Sequence, residues 1–328
     1  MNVFHNILVI IEPKNFRQPA LERGLALYNY AKTHAEHLGQ NSEVKITAIL
    51  PIEQGSFNLT SFLAVDKDQL KQDFLRKHEQ WLKAYLSIHA MGVKVEPKVI
   101  FTKEIGKQVV EIAKEQGCDI LIKTADVHGL FDSFIFTPLD LQMLRHSPIP
   151  VCIAKDHLWE PSGTIAVAVD LSTEEDEFSR LINLRLLREA QRLALFTGCK
   201  IALINAITPI VPPIAVDIPG YTPQSMYDNA LKDGCKKALE FASRHRIAAS
   251  DCHIAEGSLD EVIVDECKKL NPTALFLGTS ARRGFASALI GNICERVTDN
   301  LSCDVVVITP KTVMRNVPTT EPSKSVLS

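Results

Sequence analysis

The chain has 328 residues, and at about 150 residues per domain this length predicts two compact domains. Hydrophobic residues make up 46% of the sequence, charged residues 23% and aromatic residues 6%, which is typical of a soluble globular protein and excludes a disordered or fibrous one. The 36 lysines and arginines are balanced by 39 aspartates and glutamates, so the net charge of -3 leaves no basic excess for a nucleic-acid surface. We therefore expect no nucleic-acid partner.

Cysteine spacing and apolar runs indicate the compartment. The 8 cysteines contain no CxxC pair, which argues against a disulfide framework and a cysteine zinc site, so we interpret them as buried thiols in a reducing cytosol. The stretch Met1 to Glu12 has one short apolar run without a basic leader, and no apolar run reaches the roughly 20 residues of a membrane helix. We expect a cytoplasmic protein with no membrane partner.

Short apolar runs alternate with amphipathic segments, which is typical of strand-helix-strand units in a parallel sheet. In the first half the predicted strands are Ile7 to Ile11, Val44 to Leu50, Val95 to Phe101, Ile120 to Lys123 and Val151 to Ala154. Apolar residues at three- and four-residue intervals predict the helices Pro19 to Leu38, Lys67 to Met91, Lys107 to Gln116 and Leu139 to Arg145. Two long loops are predicted, at Glu53 to Val65 and Val211 to Gln224.

The second half of the sequence repeats the first. At an offset of 158 residues the run ending at Glu12 aligns with the run ending at Asp170, and toward the end of each half, at an offset of 155, Ile120 to Thr124 aligns with Leu275 to Thr279. The sequence thus predicts a tandem duplication, with domains at 1–156 and 162–310 joined by a short linker. Residues 311–328 contain no aromatic side chain and no periodicity, and we expect a disordered tail there.

Several nucleotide-binding and catalytic motifs are absent from the sequence. None of the 15 glycines forms the GxG of a dinucleotide-binding turn, and the sequence contains no P-loop, HExxH or GxSxG string. His34 and His37 lie three residues apart on a predicted helix, and we interpret them as a solvated helix surface because no third metal ligand is indicated. The string Asp251-Cys252-His253 is interpreted as a strand entry with a buried cysteine.

The segment Leu275 to Arg296 has the pattern of an anion site. A predicted buried strand ends at Gly278, a loop with further small residues follows, and a predicted helix begins just after Gly291. Small residues let backbone N–H groups approach a ligand, and a helix N-terminus supplies unpaired donors and a partial positive charge. Arg282 and Arg283 in the same loop carry guanidinium groups that suit a phosphate, or are ordinary exposed loop arginines.

This loop resembles the nucleotide motif of the universal stress protein family, in which Gly-x2-Gly-x9-Gly is followed by Ser or Thr. Gly278 and Gly291 match the motif at the right interval, whereas Ala281 replaces its second glycine and Asn292 its hydroxyl residue. Asp170 matches the aspartate that closes the first strand of the family's domain. Members with the full motif bind ATP between these elements. The resemblance therefore implies that Asp170, Gly278, Gly291 and Asn292 bind ATP or a related adenine nucleotide in the second domain.

The resemblance covers both halves and is most similar to the two-domain branch of the family, type E. It implies an α/β fold of two tandem Rossmann-like (adenine nucleotide alpha hydrolase-like) domains, each with a five-stranded, mostly parallel sheet flanked by helices. In the family the last strand makes the dimer contact, so we infer that Pro150 to Ala154 and Asp304 to Ile308 bring the halves together as an intramolecular pseudo-dimer. Whether two chains assemble into a further homo-oligomer stays open.

The first half departs further from the motif. At the offset of 155 residues, Lys123, Asp126 and Phe136 stand at its three glycine positions, and Pro138 follows the position of the hydroxyl residue. A proline at the first helical position removes an N–H that a phosphate would use, and Asp126 places a negative charge where an anion would bind. We therefore expect no phosphate site in the first half.

The function that the resemblance implies is a stress-response protein that binds a small ligand without robust catalysis. Three alternatives stay open. In the first alternative the loop binds no ligand: Asn292 only caps its helix, three residues before Glu295, and the glycines only allow turns. In the second alternative the Phe-rich stretch Leu130 to Phe136 binds an apolar or lipid-like ligand instead of packing in a core or interface. In the third alternative the chain is a weak nucleotide hydrolase, although no base or nucleophile lies beside the loop at a catalytic spacing.

Overall fold

The computed structural model describes residues 4–37, 43–55, 67–128, 133–134, 137–172, 176–208, 223–279 and 292–309. In the first half the strands are β1 (Asn6–Ile10), β2 (Lys45–Glu53), β3 (Val95–Thr102), β4 (Ile120–Thr124), β5 (Val127–His128), β6 (Ser133–Phe134) and β7 (Val151–Ala154). The helices of this half are α1 (Pro19–His37), α2 (Lys67–His89), α3 (Ile105–Glu115) and α4 (Pro138–His146).

The second half repeats this order without the β5–β6 hairpin among its described residues. Its strands are β8 (Thr164–Val169), β9 (Lys200–Ile207), β10 (Cys252–Glu256), β11 (Ala274–Gly278) and β12 (Asp304–Ile308). Its helices are α5 (Glu177–Thr197), α6 (Pro223–Arg244), α7 (Leu259–Leu270) and α8 (Asn292–Asp299). None of the described helices is both long and apolar enough to cross a membrane.

Both halves share one ten-stranded sheet, in the order β10-β9-β8-β11-β12-β7-β4-β1-β2-β3. Neighbouring strands within each half run parallel, and β7 and β12 pair antiparallel at the junction, with Cys152 opposite Val306. The predicted five-stranded sheets are therefore present, joined edge to edge through the last strand of each half. Because β7 and β12 pair with each other, neither leaves an unpaired edge at the centre of the molecule.

Each face of the sheet is covered by four of the described helices. One face packs against α1, α2, α5 and α6, and the opposite face against α3, α4, α7 and α8. Strands covered on both faces need apolar side chains at successive positions, as parallel strands generally do. Residues Leu8, Val9 and Ile10 of β1 and the whole of β12 are buried accordingly. The continuous apolar runs in the sequence have this origin.

Local signals set the ends of the helix that follows β8. Asp176 caps the N-terminus of α5, because its carboxylate accepts a hydrogen bond from the Ser179 amide at 3.2 Å. Gly198 ends the helix in the left-handed conformation, at a φ of 69° that an L side chain rarely adopts. Asp176 thus fixes where α5 begins, and Gly198 fixes where it ends.

The structure confirms the predicted strands and helices of the first half with ends shifted by a few residues. Three predictions of secondary structure need correction: β2 continues into the first predicted loop as far as Glu53, α6 begins at Pro223 inside the second, and β5 and β6 form a short antiparallel hairpin that the apolar pattern did not indicate. All eight cysteines are free thiols, but Cys235 and Cys252 are partly exposed, so the prediction that all are buried is wrong for these two. Residues 56–66, 209–222 and the predicted tail lie outside the described residues.

A buried carboxylate joins the two halves. Asp304, the first residue of β12, is fully buried, and its Oδ2 accepts hydrogen bonds from Arg23 Nε on α1 and from the Trp159 indole, both at 2.6 Å. Its Oδ1 accepts from the Lys155 amide at 2.8 Å and lies 2.9 Å from His157 Nε2. One carboxylate thus binds a helix of the first half, the linker after β7 and the last strand of the second half.

Arg23 completes this interdomain cluster. Its guanidinium also donates to the carbonyls of Lys155 and His157, and lies 5.1 Å from the centroid of the Trp159 ring. Burial alone would raise the pKa of Asp304, but the hydrogen bond from His157 and the charge and hydrogen bond of Arg23 hold it below its ordinary value. Asp304 therefore stays ionised in the folded protein at neutral pH.

A second interdomain contact lies between α1 and α5. The rings of Phe4 and Phe196 lie 5.9 Å apart, and His34 packs edge-on against Phe196 at 5.6 Å. The Arg192 guanidinium lies 3.8 Å from the centroid of the Phe4 ring and 3.2 Å from Asp119. The sheet junction is therefore supported from one face by packed aromatic and cationic side chains.

We predict that Asp304→Asn lowers the free energy of unfolding by about 3–5 kcal/mol at pH 7, because Arg23 would remain buried without its counter-ion. Asp156→Asn is the matched control, since Asp156 pairs with Arg17 at the surface and such pairs contribute about 0–1 kcal/mol. Denaturant unfolding measures both. Because the folded pKa of Asp304 is lowered, its contribution is complete above the unfolded pKa of about 4 and is lost as the pH falls further. Equal unfolding midpoints for the two variants at pH 7 would contradict this role.

Candidate functional site

The candidate site lies where β8 and β11 end side by side in the second half. The chain leaves β8 toward α5 on one face of the sheet and leaves β11 toward α8 on the other. Ligands of open α/β sheets bind in the crevice that such a divergence opens at the carboxyl ends of the strands. Asp170 follows β8, and Gly278 ends β11.

Hydrogen bonds fix Asp170 at the end of β8. Its backbone N–H donates to Asn183 Oδ1 at 3.2 Å, and the Asn183 amide donates back to the Asp170 carbonyl at 2.7 Å. The Asp170 carboxylate accepts from the backbone N–H of Ser172 at 3.0 Å and from its hydroxyl at 2.5 Å. A buried asparagine on α5 therefore holds the main chain of Asp170, while the carboxylate lies at the mouth of the crevice.

Gly278 is required by the packing of β11 against α5. A Cβ at this position would lie 2.7 Å from Ile182 Cγ2, closer than real Cβ contacts, and 3.2 Å from Leu186 Cδ1, where the leucine would have to shift. The glycine thus lets the strand end approach the helix. The sequence pattern connected Gly278 with ligand access, and the described structure adds a steric reason that needs no ligand.

A pocket opens between these elements. Its lining is mostly apolar with three polar side chains, and consists of Ala168, Val169, Asp170, Ser179, Ile182, Asn183, Leu186, Leu259, Leu277 and Gly278. Beside Gly278, the Thr279 side chain is buried, and its hydroxyl oxygen has no hydrogen-bond partner among the described residues. An apolar wall with a few fixed polar groups is typical of a small-molecule site.

The structure brings Asp170 and Gly278 to the same pocket, as the motif requires. Asn292 is the first residue of α8, which agrees with the predicted helix start, but its side chain is outside the description. Gly291 and the rest of the loop, residues 280–291 with both arginines, lie outside the described residues. The placement of the predicted phosphate end is therefore known only from the start of α8.

Sequence reasoning missed Asn183 and Ser179. Both lie on α5, four residues apart, and their side chains line the pocket. Asn183 is buried beside Ile182 and Leu186, which are buried on the same helix and also line the pocket. The available signal was an asparagine next to predicted core residues, because a buried amide must find hydrogen-bond partners.

In the first half the equivalent crevice is filled by a lysine. Lys123, on β4 at the position matching Gly278, is fully buried, and its ammonium group lies 2.6 Å from Asp126 Oδ2. The same ammonium lies 3.2 Å from Glu12, which matches Asp170, and 3.2 Å from Asp140 on α4. A cation and three carboxylates therefore lie where the second half has Gly278 and Asp170.

The charged groups of this cluster shift the pKa values of Lys123, Glu12 and Asp126. Burial would lower the pKa of Lys123, but Asp140, Glu12 and Asp126 raise it above its ordinary value, so the lysine is charged. Burial raises the pKa of Glu12, and the charge of Asp126 adds to this effect while Lys123 opposes it. The pKa of Asp126 is lowered despite its burial, because Lys123 and Lys14 both contact its carboxylate.

The start of α4 also differs from a phosphate-binding helix start. Pro138 occupies the first helical position, as predicted, and Thr137 forms a capping box with Asp140. The Asp140 carboxylate accepts from the Thr137 amide and hydroxyl, each at 2.8 Å. The N-terminal turn of α4 therefore already has an anionic partner from its own chain. In the Phe-rich stretch, the side chains of residues 133–134 and the whole of residues 130–132 and 135–136 are outside the description.

Two histidine patterns from the sequence have packing roles. His34 contacts Phe196, and His253 Nδ1 lies 3.2 Å from Glu266 on α7. His37 belongs to α1, but its side chain is not described. Within the described ranges, no group of three or more His, Cys, Asp or Glu side chains is arranged to hold a metal ion.

We predict that Gly278→Ala lowers the free energy of unfolding by about 1–3 kcal/mol, because the added methyl group would displace Ile182 or Leu186 on α5. Gly55→Ala is the control, since the atom nearest to its added Cβ is Glu53 Oε1 at 3.9 Å, and its change should stay within about 0.5 kcal/mol. Urea unfolding of both variants measures the difference. If Gly278→Ala is as stable as the wild type, the steric requirement is wrong.

We predict that Lys123→Met lowers the free energy of unfolding by about 3–5 kcal/mol at pH 7, because three buried carboxylates would lose their shared counter-ion. Protonation relieves the mutual repulsion of these carboxylates, so the variant should regain stability between pH 7 and pH 5. Lys14→Met, at a lysine half-exposed beside Asp126, should cost at most about 1 kcal/mol. A deficit for Lys123→Met that stays constant from pH 7 to pH 5 would argue against the cluster.

Comparison with known proteins agrees with the duplicated architecture. The family model described as "Universal stress protein family" matches twice, at residues 4–155 and 162–309. Universal stress protein E of Photorhabdus laumondii is 33% identical over 314 residues, which cover 94% of this chain and 95% of that protein. Universal stress protein E of Escherichia coli K12 is 32% identical over 320 residues, with the same coverage.

Solved structures share the fold. The crystal structure of a functionally unknown protein from Pseudomonas aeruginosa PAO1 is similar with a TM-score of 0.69 at 21% identity, over 95% of each chain. A universal stress protein from Archaeoglobus fulgidus is similar with a TM-score of 0.60 at 17% identity, over 94% of this chain and 98% of that one. With two matched domains and relatives that extend over nearly its whole length, the chain belongs to the universal stress protein family, as a tandem protein of the type E kind.

Proposed function

We propose that the chain is a cytoplasmic stress-response protein that binds one adenine nucleotide, with ATP as the first candidate, in the second half. The nucleoside would lie against Asp170 and the apolar wall of the pocket, and the phosphates would lie toward Gly291 and Asn292 at the start of α8. Binding, and not turnover, is the proposed activity. Release of phosphate from ATP above the level of a heat-killed control would contradict the proposal that the protein binds ATP without hydrolysing it.

One observation carries the proposal. The two halves share a fold and a crevice, yet the first half fills the crevice with Lys123 and its carboxylates, whereas the second half keeps a pocket beside Gly278. The second-half pocket also retains Asp170 at the position of the family's aspartate. A duplicated protein that has closed one crevice with charge and kept the other is expected to bind its ligand in the second.

Polar groups around the pocket support a ligand with hydrogen-bonding atoms. Thr279 presents a buried hydroxyl, without a hydrogen-bond partner among the described residues, next to Gly278. In the first half the matching residue, Thr124, accepts a hydrogen bond from the Ala20 amide at 3.2 Å, so its hydroxyl is used within the fold. The start of α8 adds the partial positive charge that a phosphate group prefers.

The proposal also treats the two halves as an intramolecular pseudo-dimer. The antiparallel pairing of β7 with β12 and the cluster around Asp304 support it. In this arrangement one chain carries one nucleotide, because among the described residues Lys123 and three carboxylates lie in the first-half crevice, whereas a pocket lies beside Gly278 in the second.

We predict that calorimetric titration with ATP gives one site per chain in the wild type. Asp170→Ala should weaken binding about tenfold or more, because a hydrogen bond to a charged group contributes about 1.5–3 kcal/mol. Glu12→Ala, at the matching position of the first half, should leave the affinity within about twofold. Gly291→Phe, which introduces the residue type found at Phe136, should abolish binding.

Two outcomes would contradict the site. No binding heat from the wild type at millimolar ATP would argue against nucleotide binding as a whole. Equal losses in Asp170→Ala and Glu12→Ala would argue against the second half as its location. Both variants are first compared with the wild type by thermal unfolding, so that a loss of fold is not scored as a loss of binding.

A further inference from the structure

A row of apolar side chains lies exposed along α6. This helix packs on β9 and β10, at one edge of the ten-stranded sheet, through buried residues that include Ala238 and Phe241. Beside that buried side, Leu231, Cys235 and Leu239 line a shallow groove whose described lining comes from α6 alone. Leu239 is 42% exposed, and Cys235 is partly exposed. Because these three residues recur every four positions, they form one row that no described element covers.

The equivalent helix of the first half, α2, has charged side chains where α6 has this row. An offset of 156 residues matches buried Leu82 of α2 with buried Ala238 of α6. The same offset matches a ring contact in each helix, Tyr85–His89 in α2 and Phe241–His245 in α6. It therefore relates the two helices residue by residue.

At this offset, Glu79 and Lys83 of α2 stand at the positions of Cys235 and Leu239. The Lys83 ammonium group lies 2.5 Å from the Glu79 carboxylate, and both side chains are more than half exposed. Such an ion pair is typical of a solvated helix surface. The fold thus accepts charges at these two positions, so the apolar residues of α6 are not needed there for its packing. A contiguous row of exposed apolar side chains is typical of an interaction surface.

Charged side chains near the row indicate which partner fits it. Four exposed residues follow one another along α6 in the order acidic, basic, acidic, basic: Asp228, Lys232, Glu240 and Arg244. In an antiparallel copy of the helix this order is reversed, so Lys232 faces Glu240 of the other copy and Asp228 faces its Arg244. In a parallel copy each residue would face its own kind, and like charges repel. The pattern is therefore complementary to itself in the antiparallel orientation.

We propose that this side of α6 is the contact surface between two copies of the chain, packed antiparallel about a two-fold axis near Cys235. Each Leu239 packs against Leu231 and Cys235 of the other copy, so both copies bury the same residues. A contact confined to one helix from each copy is small for a protein interface. We therefore expect a dissociation constant of about 1–100 μM.

The other charged groups in the middle of α6 are compatible with this contact. Lys237 lies 2.7 Å from Asp233 and pairs with it within the helix. Lys236 lies nearest the axis and faces its own copy, but its side chain is 73% exposed and loosely paired with Glu240 at 3.9 Å. Its long stem lets the ammonium group extend past the contact into solvent.

The first measurement is the oligomeric state without nucleotide, because none of the residues that line the pocket beside Gly278 belongs to α6. Sedimentation velocity at chain concentrations from about 1 μM to 1 mM should show the wild type changing from monomer to dimer. Leu239→Lys, which introduces the residue type of Lys83, should weaken association at least about tenfold. Leu195→Lys is the matched control, since Leu195 is 48% exposed on α5, and it should change association by less than about twofold.

Two results of this measurement would overturn the inference. A wild type that stays monomeric up to about 1 mM would exclude a second copy as the occupant of the row. Equal weakening by Leu239→Lys and Leu195→Lys would show that the row is not the contact. Thermal unfolding of each variant first establishes that it folds as the wild type does.

The second measurement reverses the charges beside the row. Lys232→Glu and Glu240→Lys should each weaken dimerisation about fivefold, because like charges then face each other on both sides of the axis. The double variant restores opposite charges across the axis and should return to within about twofold of the wild type. A double variant as weak as the single variants would overturn the antiparallel arrangement.

Cysteine cross-linking locates the axis. A short bis-maleimide reagent should link two copies through Cys235 in the wild type and in Cys252→Ser, because Cys252, the other partly exposed thiol, lies on β10 outside the row. Cys235→Ser should sediment as the wild type does but give no cross-linked dimer. A cross-linked dimer of Cys235→Ser, or a wild-type dimer that does not cross-link, would overturn the placement of the contact on α6.

Discussion

The buried carboxylate of Asp304 is the interaction on which the rest of the molecule depends. It is the point where α1, the linker and β12 meet, and the antiparallel pairing of β7 with β12 runs directly from it. A buried charge is costly unless its hydrogen-bonding capacity is met, so four donors converge on it. The same requirement orients Lys155 and Arg23 and thereby fixes how the second half sits against the first. The geometry of the candidate site at the end of β11 is built on that frame.

Two copies of one unit use the same crevice in opposite ways. In the first copy Lys123, Glu12, Asp126 and Asp140 form a charge cluster that makes the crevice part of the core. In the second copy Gly278 brings the strand against α5 and leaves a pocket lined by Asp170 and side chains of α5. One position is lysine in the first half and glycine in the second. The lysine forms a buried charge cluster, whereas the glycine lies beside a pocket.

The order of strands and helices could be predicted from the sequence because buried parallel strands leave continuous apolar runs, and the duplication followed from their alignment. The side chains that line or fill the two crevices could not be predicted from the sequence. Lys123 contacts carboxylates from three separate segments, and Arg23 and Asp304 are 281 residues apart. No local sequence pattern therefore predicts either cluster. The steric reason for Gly278 depends on the crossing of β11 and α5, which only the tertiary structure fixes.

The covalent connection between β7 and β8 has a consequence in terms of mass action. Two separate subunits joined through their last strands would dissociate on dilution and exchange partners, so differing copies would mix into several combinations. In one chain the effective concentration of each half near the other is set by the linker and does not fall with dilution. Every molecule therefore contains one copy with Lys123 and one copy with Gly278 at the matching position, in a fixed ratio. That fixed pairing allows the two copies to specialise separately without losing their partner.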